Sequence, residues 1–184
     1  FENFVSNGLV ENVDFFVAGS EVKLSETNYE QSKFKEIYFD DGEHDHQKFS
    51  RFYHDQIKKS DYQNVVIVSS RMCGPHPSPD DVHNWVQRFT TQLTTDIHLV
   101  GSTIIVMPND HPLTKLQNDI KNKYCSAPYV PASAFAISRE GLDFLNKKSF
   151  FEQDIPDCEL SLKLFFEMRM SDLLLENSWN ISSL

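Results

Sequence analysis

The chain has 184 residues and a mass of 21.3 kDa, a length that suits one domain able to bury about 70% of its unfolded surface without a disulfide or a metal. Hydrophobic residues make up 40% and charged residues 24%, which excludes wholesale disorder, and 17 Lys and Arg against 27 Asp and Glu give a net charge of −10. That charge repels nucleic acid, and no basic cluster exceeds Lys58-Lys59 or Lys147-Lys148, so DNA or RNA binding is not expected.

The three cysteines, Cys73, Cys125 and Cys158, form no CxxC pair, which excludes a zinc ribbon, and reduced thiols are the simpler reading. Apolar runs span only a few residues, so no membrane-crossing segment is expected. The chain opens at Phe1 without a Met, and the expectation is one domain over 1–184 belonging to a longer chain. The expected compartment is the cytoplasm, with the secretory lumen left open.

In chain order, Phe1, Phe4 and Val5 have helical spacing and Gly8 suits a left-handed stop. A strand is expected over 13–18, closed by Gly19-Ser20, and a short one over 37–39. The acidic loop Asp40-Asp41-Gly42-Glu43-His44-Asp45-His46 follows. Phe49, Phe52, Tyr53 and Ile57 then repeat at i, i+3, i+4 and i+8, the face of a helix.

Val65-Val66-Ile67-Val68 are four consecutive β-branched residues, the pattern of a strand buried on both faces. After the turn 69–75, Ser78 can cap a helix with Pro79 in its first turn and Asp81 completing a capping box. Val82, Trp85, Val86, Phe89 and Leu93 form its apolar face. A second buried strand is expected over 99–106 and a helix around 113–124. A third strand spans 134–137, and Ser138 caps a helix through Leu142 and Leu145. A helix near 166–176 and a strand over 179–184 close the chain. Strands alternating with helices point to an α/β fold: a single mixed, mostly parallel sheet flanked by helices.

Taken in order, several blocks resemble a family of α/β glycosyltransferases found in bacteria, algae and large DNA viruses. They are Asn64–Pro75, the Trp-bearing helix after it, Leu99-Val100-Gly101-Ser102-Thr103-Ile104, Ala134–Leu142, and Glu167-x-x-x-Ser171 followed by Leu-Leu and Asn180-Ile181. They cover 60–184 well and the first 60 residues loosely. The resemblance implies a GT-A-like, Rossmann-like nucleotide-sugar-binding fold. It also implies transfer of a sugar, as in a hexosyltransferase, from a UDP- or GDP-sugar donor to a glycan acceptor. Where many such enzymes place Asp-x-Asp to hold Mn²⁺ or Mg²⁺ across the donor diphosphate, this chain has Ser69-Ser70-Arg71. The Arg that relatives carry before Gly-Pro is Cys73 here, and the acidic loop offers Asp45-His46-Gln47.

Sugar transfer needs a neutralised leaving diphosphate, an acceptor hydroxyl that loses its proton, and exclusion of water. The resemblance puts Arg71 where the diphosphate would lie, and a guanidinium can grip phosphate bidentately without a metal. Ser69 and Ser70 could bind ribose or phosphate, or serve the turn. The resemblance assigns Glu167 as general base, against the reading that helix dipoles favour acids at N-termini. Asp154 and Asp157 are rival bases. Asp40, Asp41 and His44 are candidate ligands for Mn²⁺ or Mg²⁺, and Asp45 either contacts the donor or starts the next helix. A solvated turn is the competing reading for this loop.

His76, His83, His98 and His111 lack ligand spacing and read as surface residues. Trp85 and Phe89 read as core, whereas Trp179 is open between core and a platform on which sugars stack. The sequon Asn180-Ile181-Ser182 falls in a segment that reads as packed. A non-catalytic glycosyltransferase-like binding module is the second reading of the whole, and a metal-dependent hydrolase built on His44-Asp45-His46 the third.

Overall fold

The computed structural model describes residues 9–19, 34–39, 45–69, 72, 84–121, 128–153, 155, 158, 160 and 163–184. The chain forms two compact units, Phe1–Ser60 with Cys73–Asn84, and Asp61–Met72 with Trp85–Leu184.

In the first unit, β1 (Phe15–Gly19) pairs in parallel with β2 (Phe34–Tyr38), Phe15 opposite Phe34. Helix α1 (Asp45–Phe52) runs into a wider π-helical turn, Tyr53–Ile57, closed by Lys58 N–H donating to Tyr53 O at 2.8 Å. Phe49, Tyr53 and Ile57 are buried, and Phe52 meets Phe16 edge-on with ring centroids 5.2 Å apart. The apolar face expected at 49, 52, 53 and 57 therefore forms the core of this unit. The helix begins four residues earlier than its first apolar side chain, at Asp45. The helix expected at the start of the chain and the cap expected at Ser78 lie outside the described residues.

In the second unit, four strands form one sheet in the order β3 (Asn64–Val68), β7 (Ala134–Ser138), β4 (Ile97–Gly101), β8 (Asn180–Ser183). The β3–β7 and β7–β4 pairs are antiparallel and β4–β8 is parallel. Thus β3, β4 and β8 point one way and β7 points back. The protein is a mixed α/β structure whose sheets are flanked by helices. Among the described residues the strands form three small sheets rather than the expected single one, and the four-stranded sheet is not mostly parallel, because β7 enters between β3 and β4 against their direction. The third sheet is the two-residue pair of β5 (Ile105–Val106) and β6 (Pro128–Tyr129). The strand expected over 99–106 is therefore two strands, parted after Gly101, where Ser102 N–H still donates to Ala134 O at 2.9 Å.

Alternation along β7 sorts the second unit into layers. Ala134 and Ala136 face α2 (Trp85–Thr90), and their small side chains leave room for Phe89, packed with Val100 and the half-buried Trp85. On the other face lies α4 (Arg139–Lys147), which follows β7 after α3 (Pro112–Lys121). Gly141 approaches Ile137 and His98 there so closely that a Cβ would sit 3.1 Å and 3.2 Å from their side chains. Ser138 caps α4 as expected, accepting from Gly141 N–H at 3.1 Å. A π-helical stretch, Lys163–Met168, leads into α5 (Arg169–Glu176), so the last helical segment starts three residues before the expected 166.

Two expectations are corrected. Among the described strands β3 lies at a sheet edge, with Val68 38% exposed, so it is not buried on both faces. His98 is not a surface residue but 2% exposed. The register slips between Ile97 and Leu99, and such an irregularity re-aims the side chain inside it. Thr95 O can only accept, so Nε2–H of His98 donates to it at 3.1 Å; Nδ1 then accepts from Ser138 Oγ at 2.7 Å.

Gly101 is closely enclosed. A Cβ there would meet Thr103 O at 2.5 Å and Val130 Cγ1 at 2.7 Å. Gly101→Ala is expected to destabilise the protein by about 1–3 kcal/mol, read as a lower urea midpoint at unchanged slope.

Candidate functional site

The strand directions define two edges of the second unit's sheet. At the edge where β3, β4 and β8 end, the chain enters β7 through Val130-Pro131-Ala132-Ser133. Ser69 N–H, just past β3, donates to Ser133 O at 2.8 Å. One residue earlier, Ala132 N–H donates to Glu167 Oε1 at 3.0 Å. Val130 N–H donates to Ser171 Oγ at 3.0 Å. Pro131 has no N–H, and the donors on either side of it are met by two side chains spaced i, i+4 along one helical face.

The elements explain this placement. Leu164 and Met168 of the π-helical stretch bury against Tyr129, with Ile105, Met107, Leu113 and Phe165 around them. That apolar anchor fixes the helical segment along the 129–133 strap, so Glu167 and Ser171 face its backbone. Glu167 is half-buried and its Oε2 is shielded from solvent. Tyr129 is 1% exposed, and its hydroxyl has no hydrogen-bond partner among the described residues. Burial, and secondarily the Glu167 charge, push the Tyr129 phenol up from its ordinary value of 10.0.

Of the residues singled out in the sequence, Ser69 and Glu167 come together at this edge, linked through Ser133 and Ala132. Ser70, Arg71, Asp154, Asp157, Asp40, Asp41 and His44 lie outside the described residues. Asp45 opens α1 in the first unit. Among the described residues no group of three His, Cys, Asp or Glu side chains could hold a metal ion. No helix among them is long and apolar enough to cross a membrane. Sequence reasoning did not single out Tyr129 or the backbone donors of Val130 and Ala132. The signal for the donors was the Glu167-x-x-x-Ser171 spacing itself, whose i, i+4 geometry presents both side chains to one neighbour.

Ser171→Ala and Glu167→Ala each strand a backbone donor, and each is expected to cost about 1–3 kcal/mol. A double-mutant cycle by urea denaturation should show the two losses coupled, because both groups hold one strap. Tyr129→Phe removes a buried hydroxyl without a partner among the described residues and should leave stability unchanged or raised. The raised phenol also has a pH signature. In the unfolded chain Tyr129 ionises at its ordinary value while the folded form still holds its proton. Wild-type stability should therefore fall as pH rises above 10.0, and Tyr129→Phe should remove that part of the loss.

Comparison of the chain with protein-family models, with curated proteins and with solved structures finds no match.

Proposed function

We propose that the protein transfers a sugar from a nucleotide-diphosphate sugar to a glycan acceptor at the edge of the sheet where β3, β4 and β8 end. One observation carries the reading. The backbone of Ser69, the residue after β3, and the carboxylate of Glu167 bond to adjacent residues of one short strap, Ser133 and Ala132. Ligands of open α/β sheets bind beyond the carboxyl ends of the strands, which supports this edge over the opposite one. The sequence resemblance supplies the reaction, and this edge offers it an acid-base group beside a strand end.

In this mechanism Glu167 accepts the proton of the acceptor hydroxyl as the acceptor oxygen bonds to the anomeric carbon. The bond from that carbon to the diphosphate breaks, and its electron pair leaves with the phosphate oxygen. Ser69, Ser70 and Arg71 receive the developing charge on the diphosphate. The hydrogen bond from Ala132 N–H fixes the orientation of the Glu167 carboxylate during the transfer. A divalent ion such as Mn²⁺ or Mg²⁺, when bound, would neutralise diphosphate charge.

The second reading, a glycosyltransferase-like binding module without turnover, also has an observation behind it. Glu167 Oε1 already serves a backbone donor, which is a structural role. Glu167→Gln separates the two readings, because a Gln amide oxygen still accepts from Ala132 N–H while the carboxylate is gone. We expect the variant to melt within a few degrees of the wild type and to lose glycosyl transfer by a factor of about 100 or more. Unchanged turnover, or none in the wild type alongside intact donor binding, would favour the binding module. A panel of UDP- and GDP-sugars, with and without Mn²⁺, should reveal a donor that stabilises the fold by about 2.7 kcal/mol at 100 times its dissociation constant. Absence of any thermal shift across the panel would count against both readings.

A further inference from the structure

The opposite edge of the same sheet carries a groove of about 460 Å³, a size within the range of small-molecule sites. Gln63 precedes β3, Trp179 precedes β8, and Arg139, Glu140 and Asp143 follow the reversed strand β7, so topology brings all five side chains to this one edge. A five-residue strand spans about 16 Å, which separates the groove from Glu167 by the height of the sheet.

Trp179 is the organising side chain. Its ring lies tilted at 42° over the buried His98 imidazole, with centroids 3.9 Å apart, and meets Phe144 edge-on at 5.0 Å. His98 is in turn held by Thr95 O and Ser138 Oγ. The indole is thus fixed from beneath while remaining half-exposed to the groove. Its Nε1–H finds no hydrogen-bond partner among the described residues.

The polar groups around the indole decide the class of ligand. Arg139 Nε contacts both carboxylate oxygens of Asp143, at 3.1 and 3.2 Å, so the strongest charges of the groove compensate each other. Glu140 and Lys147 add one further charge of each sign. Such a lining offers no net attraction to an anion or a cation. It does offer a rigid aromatic surface bordered by carboxylates, which accept, and by amide groups, which both donate and accept. A neutral sugar ring matches that arrangement, with its apolar C–H face on the indole and its hydroxyls toward Glu140, Gln63 and Nε1–H.

We propose that the groove at the start of β3 and β8 is a saccharide-binding site for neutral sugars, with Trp179 as its stacking platform. It goes beyond the transfer reading, does not depend on it, and lies at the other end of the sheet.

The test is a titration of ¹⁵N-labelled protein with cellobiose, maltose, lactose and N,N′-diacetylchitobiose. The chain has two tryptophans, and Trp85, packed with Phe89 on the other face of the sheet, is an internal control. At least one disaccharide should move the Trp179 indole resonance saturably in the millimolar range while Trp85 stays still. Glu140→Ala, an exposed substitution, should weaken that sugar by about threefold or more. Trp179→Phe should weaken it further and, keeping a ring against His98, leave the remaining spectrum unchanged. Glu167→Gln should bind it as the wild type does, so a failure of the transfer mechanism is told apart from a failure of this site. The proposal is overturned if no sugar gives a saturable shift, if both indoles move in parallel, if Glu140→Ala binds undiminished, or if glucuronate or glucosamine binds more tightly than every neutral sugar.

Discussion

The arrangement of the second unit depends on how the backbone donors of one extended strap are satisfied. Val130 and Ala132 lie where the chain turns from β6 into β7, too short a stretch to pair along its length with another strand. Ser171 and Glu167 supply the missing acceptors from a helical segment 35 to 41 residues later in the chain. A buried N–H without an acceptor costs about 1–3 kcal/mol, comparable to much of a domain's net stability. Meeting both donors therefore reinforces the placement of the last helical segment, which Leu164 and Met168 anchor on Tyr129. The same strap carries Val130, whose side chain and the backbone oxygen of Thr103 together leave no room for a β-carbon at Gly101. Gly101 is thus explained by close approach rather than by an unusual backbone angle.

That clamp makes the Glu167 carboxylate a structural acceptor near the turn that follows β3. In the transfer we propose, the same hydrogen bond would hold the carboxylate in one orientation. The opposite edge is built on the same logic with other chemistry. The hydrogen-bonded chain from Gly141 N–H through Ser138 and His98 to Thr95 fixes the imidazole on which Trp179 rests. One sheet of mixed direction thus carries the Glu167 carboxylate at one end and the Trp179 indole at the other.

Where sequence reasoning held, the signal was local. The run of β-branched residues at 65–68 is a strand because such side chains fit a pleated surface. Ser138 caps α4 because its hydroxyl reaches a free N–H three residues on. The apolar spacing of 49, 52, 53 and 57 is a helix because those positions share one face. Where it failed, the deciding contact came from far along the chain. His98 lies between Ile97 and Leu99, and nothing local says whether an imidazole there meets water or the hydroxyl of Ser138, 40 residues away. The run from 99 to 106 looks like one strand, but its two ends pair with different partners, β7 and β6. The candidate site was legible only in part: Glu167 and Ser69 were named from the sequence, whereas Tyr129 and the two backbone donors were not.

The amino-acid sequence by itself determined the kind of each element, because hydrophobic period, β-branching and capping act within a few residues. It also determined the acidic balance and the pairing of Glu167 with Ser171 on one helical face, since i, i+4 spacing is a property of the helix. Only the tertiary structure decided that β7 runs against its neighbours, that Glu167 meets Ala132, and that Trp179 rests on His98. Strand direction and long-range partners depend on which surfaces bury each other when the whole chain collapses, and a one-dimensional pattern does not carry that choice.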